Sequence, residues 1–208
     1  MGAGAVTAVR RRVCATCLRA QTACICQWIA PVAPQASLLV LLHPLEVGNA
    51  KNSGRLLHLC VAGSALAVGE TFDADLLNAL LHADGRTPVL LYPETADDRN
   101  LPAPPPLPSL AAPALRLVVL DATWRKSRKM LYLNPTLQRL PRLALRDVAP
   151  SNYRIRKAHA PHQLSSLEAA ELALGQLEGD REAFRPLFEA FDRFVQQQAA
   201  FMPHAHTT

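Results

Sequence analysis

Apolar residues recur along the chain in short runs divided by segments with a helical repeat. Ser37 to Leu42, Ala65 to Val68, Pro88 to Tyr92 and Leu115 to Leu120 are short enough for strands, and their unbroken apolar character fits strands covered on both faces. Between them, segments near Asn52 to Cys60, Asp73 to His82 and Thr123 to Leu133 place apolar residues three and four apart, which predicts helices. Asn100 to Pro113 contains six prolines and is therefore expected to be an extended linker or surface loop. Further on, Ser165-x-x-Glu168 predicts a capping box, with Leu167, Ala170, Leu174 and Leu177 on one face of the helix it opens. A last helix is expected from Arg181 or Glu182 to about Ala200, with Pro186 in its first turns, before a frayed tail at residues 202–208. This alternation predicts an α/β domain over residues 35–201, with a mainly parallel sheet and flanking helices.

Composition narrows the class. The chain has 208 residues, half of them apolar and 19% charged, which supports one compact core with a small appendage and argues against disorder. No apolar run approaches the ~18 residues of a membrane span. The leading MGAGAVTAVRRRV lacks the apolar stretch of a signal peptide, so a cytoplasmic protein with no membrane partner is expected. Charge adds a direction, because residues 121–160 hold ten Lys/Arg against two acids whereas the rest holds twelve against fifteen. Basic charge concentrated in this way suits a polyanion such as nucleic acid, although a solvated basic face has the same composition.

Four of the five cysteines, Cys14, Cys17, Cys24 and Cys26, follow the spacing C-x2-C-x6-C-x-C. In a reducing compartment four such thiols suit tetrahedral zinc better than disulfides, and four protein ligands make the centre structural. A redox or iron–sulfur role and plain free thiols are the alternatives. Residues 1–34 thus form a candidate N-terminal zinc knuckle, with Arg10, Arg11, Arg12 and Arg19 available to offset its negative charge. Cys60, within LLHLC, fits a buried small hydrophobe.

In open parallel sheets ligands bind at the carboxyl ends of strands, so the residues that follow each predicted strand carry the chemistry. These are His43, Pro44 and Glu46, then Tyr92 and Pro93, then Asp121, Thr123 and Trp124. No G-x-G-x-x-G, P-loop, G-x-S-x-G or H-E-x-x-H motif is present, which leaves the site to be built another way. Each residue has a plainer role open to it: Asp121 capping the next helix, Trp124 packing at the junction, His43 held as a buried histidine. Arg125, Arg128 and Lys129 fall on one helix face, and Tyr153, Arg154, Arg156 and Lys157 form a second basic group. An acid and an aromatic beside a basic stripe suit a nucleobase next to its phosphates.

Asp121-Ala122-Thr123-Trp124 matches D-x-T-W, the signature of the DTW-domain family, and the chain resembles the bacterial tRNA-uridine aminocarboxypropyltransferases of that family. The four cysteines, HPLE at His43 to Glu46, NSGRLL at Asn52 to Leu57, LLYP at Leu90 to Pro93, SNYRIRKA at Ser151 to Ala158 and LSSLEA at Leu164 to Ala169 agree with it. Ala20 and Ser53 depart from common family choices without touching the cysteines or D-x-T-W. The resemblance implies transfer of a 3-amino-3-carboxypropyl group from S-adenosylmethionine to N3 of a tRNA uridine, in the variable loop, with release of 5′-methylthioadenosine. It implies a SPOUT-like fold whose C-terminal trefoil knot binds the cofactor. Asp121, Thr123 and Trp124 become the catalytic candidates, with Asp121 either a base or an orienting carboxylate. Asn52, Ser53, Gly54, Leu57, Leu91, Tyr92, Pro93 and Leu120 become cofactor contacts, and Arg125, Arg128, Lys129, Tyr153, Arg154, Arg156 and Lys157 contacts to tRNA. A SPOUT-type methyltransferase and a non-catalytic zinc-knuckle RNA-binding protein are the competing readings.

Overall fold

The computed structural model describes residues 12–94, 98–145 and 164–201. Five strands form a single parallel sheet: β1 (Ser37–Leu42), β2 (Ala65–Val68), β3 (Thr87–Leu91), β4 (Leu115–Asp121) and β5 (Arg142–Leu143), in the order β2-β1-β4-β3-β5. Side chains of a strand alternate between faces, and here both faces are covered. Leu38 and Val40 of β1 and Leu117 and Val119 of β4 enter one core, whereas Leu39, Leu41, Val118 and Leu120 enter the other. The first core is closed by α1 (Gly54–Cys60), α5 (Ser166–Glu178) and α6 (Arg185–Ala200). The second is closed by α2 (Ala74–Leu81), α3 (Trp124–Leu133) and α4 (Pro135–Gln138). Two-sided burial is why these strands lack polar alternation, and each fully buried Leu contributes roughly 1.5–3 kcal/mol.

Cys17, Ile25 and Val32 pack into the first core, so the cysteine-rich segment shares its hydrophobic interior with α5 and α6. The predicted capping box is present, with Ser165 Oγ accepting from Glu168 N at 3.2 Å and Ser165 N donating to Glu168 Oε2 at 2.8 Å. Gly179 ends α5 at φ 67°, a left-handed geometry that suits glycine. The proline segment has no regular element before a short turn at Ala112–Ala114. Two elements were not expected from the sequence: α4 occupies four residues, and β5 only two. No helix among the described residues is long and apolar enough to cross a membrane. The described residues show no C-terminal trefoil knot of the kind the resemblance implies, and residues 146–163, between β5 and α5, lie outside them. The tail at 202–208 lies outside them too.

The chain leaves β1 toward β2 at one side and leaves β4 toward β5 at the other, so the loops beyond β1 and β4 diverge. Such a divergence opens a crevice at the strand ends. The last residue of β4, paired with Leu42 at the end of β1, is Asp121.

Candidate active site

Asp121 is 4% exposed and accepts hydrogen bonds on both carboxylate oxygens. Ser166 Oγ, at the start of α5, donates to Oδ1 at 2.5 Å, and Asn52 Nδ2 donates to Oδ2. The amide of Asn52 has one consistent orientation, because its Oδ1 accepts from Arg55 N at 3.1 Å at the start of α1. Gly54 is required by close approach: a Cβ there would overlap the Asp121 carboxylate. Asp121 does not cap α3, whose N-cap Thr123 makes no side-chain cap bond. The carboxylate instead ties β4 to α5 and to the loop that leads into α1.

Beside it lies a cavity of about 560 Å³, within the usual range for small-molecule sites. Its wall is mainly apolar, from Leu91, Pro93, Val119, Leu120, Leu143 and Leu145, with Tyr92 and Trp124 as aromatics. Tyr92 meets the Trp124 ring edge-on at 6.1 Å between centroids, and the Arg142 guanidinium lies over the Tyr92 ring, 5.4 Å from its centroid. Burial pushes the Tyr92 phenol above its ordinary pKa, against smaller opposing effects of Ser127 and Arg142, so it stays protonated at neutral pH. Polar lining comes from Glu94, Ser127, Ser165 and Ser166. Ser166 therefore faces both ways, lining the cavity and donating to Asp121. It belongs to the LSSLEA motif, but the sequence assigns it no role; the folding of α5 onto β4, 45 residues away, gives it this place.

Leu91, Tyr92, Pro93, Leu120 and Trp124 line the cavity together. Asn52 and Gly54 touch Asp121 instead, while Ser53 is buried at the N-cap of α1 and Leu57 belongs to the core. Trp124 is 46% exposed, so its ring is not simply packed away. Of the basic residues, Arg125, Arg128 and Lys129 share α3. Arg128 bonds Asp98 at 2.9 Å and Lys129 bonds Glu70 at 2.9 Å, while exposed Arg125 has no partner among the described residues. Tyr153, Arg154, Arg156 and Lys157 lie outside the described residues.

His43, at the end of β1, is a held histidine. Its Nδ1 accepts from Leu45 N at 3.1 Å, so Nε2 carries the proton and donates to Glu70 Oε1 at 3.0 Å. Glu46 is buried and bonds Lys126 at 2.8 Å and Asn49 Nδ2 at 2.7 Å. These contacts fix the loop after β1 against α3.

The four cysteine Sγ atoms lie within 4.8 Å of one another, with Cys14 and Cys26 at 3.6 Å and Cys17 and Cys24 at 3.8 Å. Tetrahedral zinc with Zn–S bonds of ~2.3 Å requires ligand separations of ~3.8 Å, so the donor set fits. Hydrogen bonds from the backbone of Cys17 and Thr16 lower the Cys14 thiol to about 6, while burial pushes Cys26 up to about 12. Thiols crowded in this way ionise together only beside a cation.

A parallel α/β domain with an aromatic-walled cavity at its strand ends, a buried acid beside it and a four-cysteine cluster defines a small-ligand site on a metal-compatible scaffold. A DTW domain model matches residues 11–199, and the chain belongs to the DTW-domain family. It is 31% identical over 183 residues to tRNA-uridine aminocarboxypropyltransferase 2 of Mus musculus, covering 82% of this chain and 58% of that protein. The Macaca fascicularis protein of the same name is 27% identical over 182 residues, again 82% and 58%, and the Drosophila melanogaster one 29% over 200 residues, 91% and 76%. The chain thus spans 58% of the length of the two mammalian relatives. No solved structure matches it significantly.

Proposed function

We propose that this chain is a transferase that moves the 3-amino-3-carboxypropyl group of S-adenosylmethionine to N3 of a tRNA uridine, giving acp3U in the variable loop and releasing 5′-methylthioadenosine. The observation that carries the proposal is Asp121, buried at the end of β4 and joined through Ser166 to an aromatic-walled cavity, in a chain of this family. In the reaction N3 forms a bond to the methionine γ-carbon, the C–S bond breaks, and the sulfonium electrons leave with the thioether. The N3 proton has to go elsewhere. Asp121 takes it or orients its departure, with the Ser166 hydroxyl between carboxylate and cavity. Sulfonium is already a good leaving group, so alignment is the larger task.

The apolar wall of Leu91, Tyr92, Pro93 and Leu120 suits the adenine. The N-terminus of α5 borders the cavity and favours the methionine carboxylate, and Glu94 suits an ammonium or ribose hydroxyls. Trp124, with its half-exposed ring, suits stacking on the incoming base. Arg125, Arg128 and Lys129, with Tyr153, Arg154, Arg156 and Lys157, serve the RNA backbone; for Arg128 and Lys129 a phosphate competes with Asp98 and Glu70. Zinc held by Cys14, Cys17, Cys24 and Cys26, a SPOUT-like knot and a cytoplasmic site of action complete the proposal.

Purified protein incubated with S-adenosylmethionine and unmodified tRNA, followed by mass spectrometry of nucleosides and by-products, tests it. Acp3U with 5′-methylthioadenosine is expected. Methyluridine with S-adenosylhomocysteine, or no product at all, overturns it.

A further inference from the structure

The cysteine cluster and the Asp121 site are joined by one side chain. Leu18 closes the turn after Cys17 with a left-handed φ of 59°, its N donating to Cys14 O at 2.9 Å, while Cys14 N donates to Arg19 O at 2.7 Å. Arg19 therefore leaves the cluster in a fixed direction. Its Nη1 donates to Ala50 O at 2.5 Å, its Nη2 to Asn52 O at 2.6 Å, and the guanidinium lies 5.0 Å over the Phe194 ring of α6. A planar fork on two carbonyls of one loop, stacked on an aromatic face, fixes position and angle together, which a lysine ammonium cannot do. The residue it grips through the backbone is the one whose side-chain amide holds the Asp121 carboxylate.

We propose that Arg19 is a positioning residue for Asp121, acting through the Asn49–Asn52 loop, and that the cysteine centre serves the active site by holding this arginine in place. The inference rests on the transferase reading for its kinetic consequence, and on geometry alone for its structural one. Other contacts secure the cluster independently: Trp28 Nε1 donates to Gln197 Oε1 at 2.6 Å, Gln197 Nε2 to Cys24 O at 3.0 Å, and Arg55 Nη2 to Thr16 O at 3.1 Å. Loss of Arg19 should therefore loosen the loop while leaving the cluster docked.

The test compares wild type with Arg19→Met, Arg19→Ala and Arg19→Lys, each verified for metal content. Turnover at saturating S-adenosylmethionine should fall on the order of 10- to 100-fold in Arg19→Met, the scale of a small misplacement at a reacting group. KM for tRNA should stay within about twofold. Methylguanidine should restore part of the rate in Arg19→Ala, and Arg19→Lys, which keeps the charge and guards against lost docking, should lie between. The Asn52 side-chain amide, assigned in the NMR spectrum by its loss in Asn52→Ala, should shift in Arg19→Met. A raised KM with unchanged turnover would make Arg19 an RNA contact and overturn the proposal, as would an unmoved Asn52 amide. If wild type forms no acp3U, the transferase reading fails separately, and the Asn52 amide then decides the positioning claim.

Discussion

Strand β4 carries a buried charge near each end, Arg116 at 3% exposed and Asp121 at 4%, and their surroundings differ in kind. Arg116 donates to Leu80 O at 3.0 Å, Ala83 O at 2.9 Å and Asp84 Oδ2 at 2.9 Å, all around the C-terminal end of α2, where a cation offsets the helix carbonyls. Asp121 is held by side chains of the α1 approach and of α5, one of which lines a cavity. Both charges are buried and hydrogen-bonded. What separates the two is that a partner of Asp121 leads to space a ligand can fill, and on the proposed function that makes Asp121 the functional charge and Arg116 the structural one.

The sharpest way to break that comparison is to neutralise both ends. Asp121→Asn keeps the shape but presents an NH2 to donors, and product formation should drop by about 100-fold or more while S-adenosylmethionine binding changes little. Arg116→Met should cost about 2 kcal/mol of stability, from lost hydrogen bonds to a charged group, and leave the turnover of the folded protein unchanged. Stopped assays with tRNA and urea denaturation read the two quantities. Near wild-type turnover in Asp121→Asn, or a turnover defect in Arg116→Met, would erase the distinction.

A milder perturbation acts on the packing around Asp121. In Gly54→Ala the new methyl overlaps the carboxylate, forcing it off Asn52. Overpacking of this kind costs roughly 1–3 kcal/mol, and turnover should fall by about tenfold. Gly48→Ala is the matched control, since nothing lies within 4 Å of a Cβ there. Equal turnover of the two variants would mean that the Asp121 carboxylate has no fixed orientation to lose.

The three long strands and most helices were legible because their apolar residues are consecutive or periodic and both sheet faces are covered. The cysteine cluster was legible because its ligands are near neighbours in sequence. Arg142 and Leu143, forming β5, were not, because two residues after a proline carry no period. Nor was the bond from Asn52 to Asp121, 69 residues apart, or that from Ser166; such pairings are made by the topology and leave no local pattern. Asn52 and Gly54, expected at the cofactor, adjoin the acid, a neighbourhood that no local pattern announces. Leu57, a residue of the NSGRLL motif, is buried in the core, as the helical period of this segment predicts.

A third buried charge gives the finest test. Glu171, on α5 and 5% exposed, has Arg181 Nε at 3.7 Å and neither caps a helix nor lines the cavity. Burial pushes its carboxyl pKa up, and the proximity of Glu168 adds to this, while Arg181 opposes it less strongly. A carboxyl whose folded pKa is raised binds its proton more tightly in the native state, so its stabilising contribution is present below the ordinary value of 4.5 and is lost as pH rises through the folded value. Above the ordinary value the native protein therefore disfavours the ionised form that the unfolded chain adopts. Glu171→Gln should raise the urea midpoint slightly near neutral pH, and the gain should shrink toward zero below about pH 4, where both states are protonated. Turnover per folded molecule should not change. A pH-independent shift would mean that lost packing or the Arg181 pair outweighs desolvation, and a change in turnover would show that a buried charge can reach the site without a partner that faces the cavity.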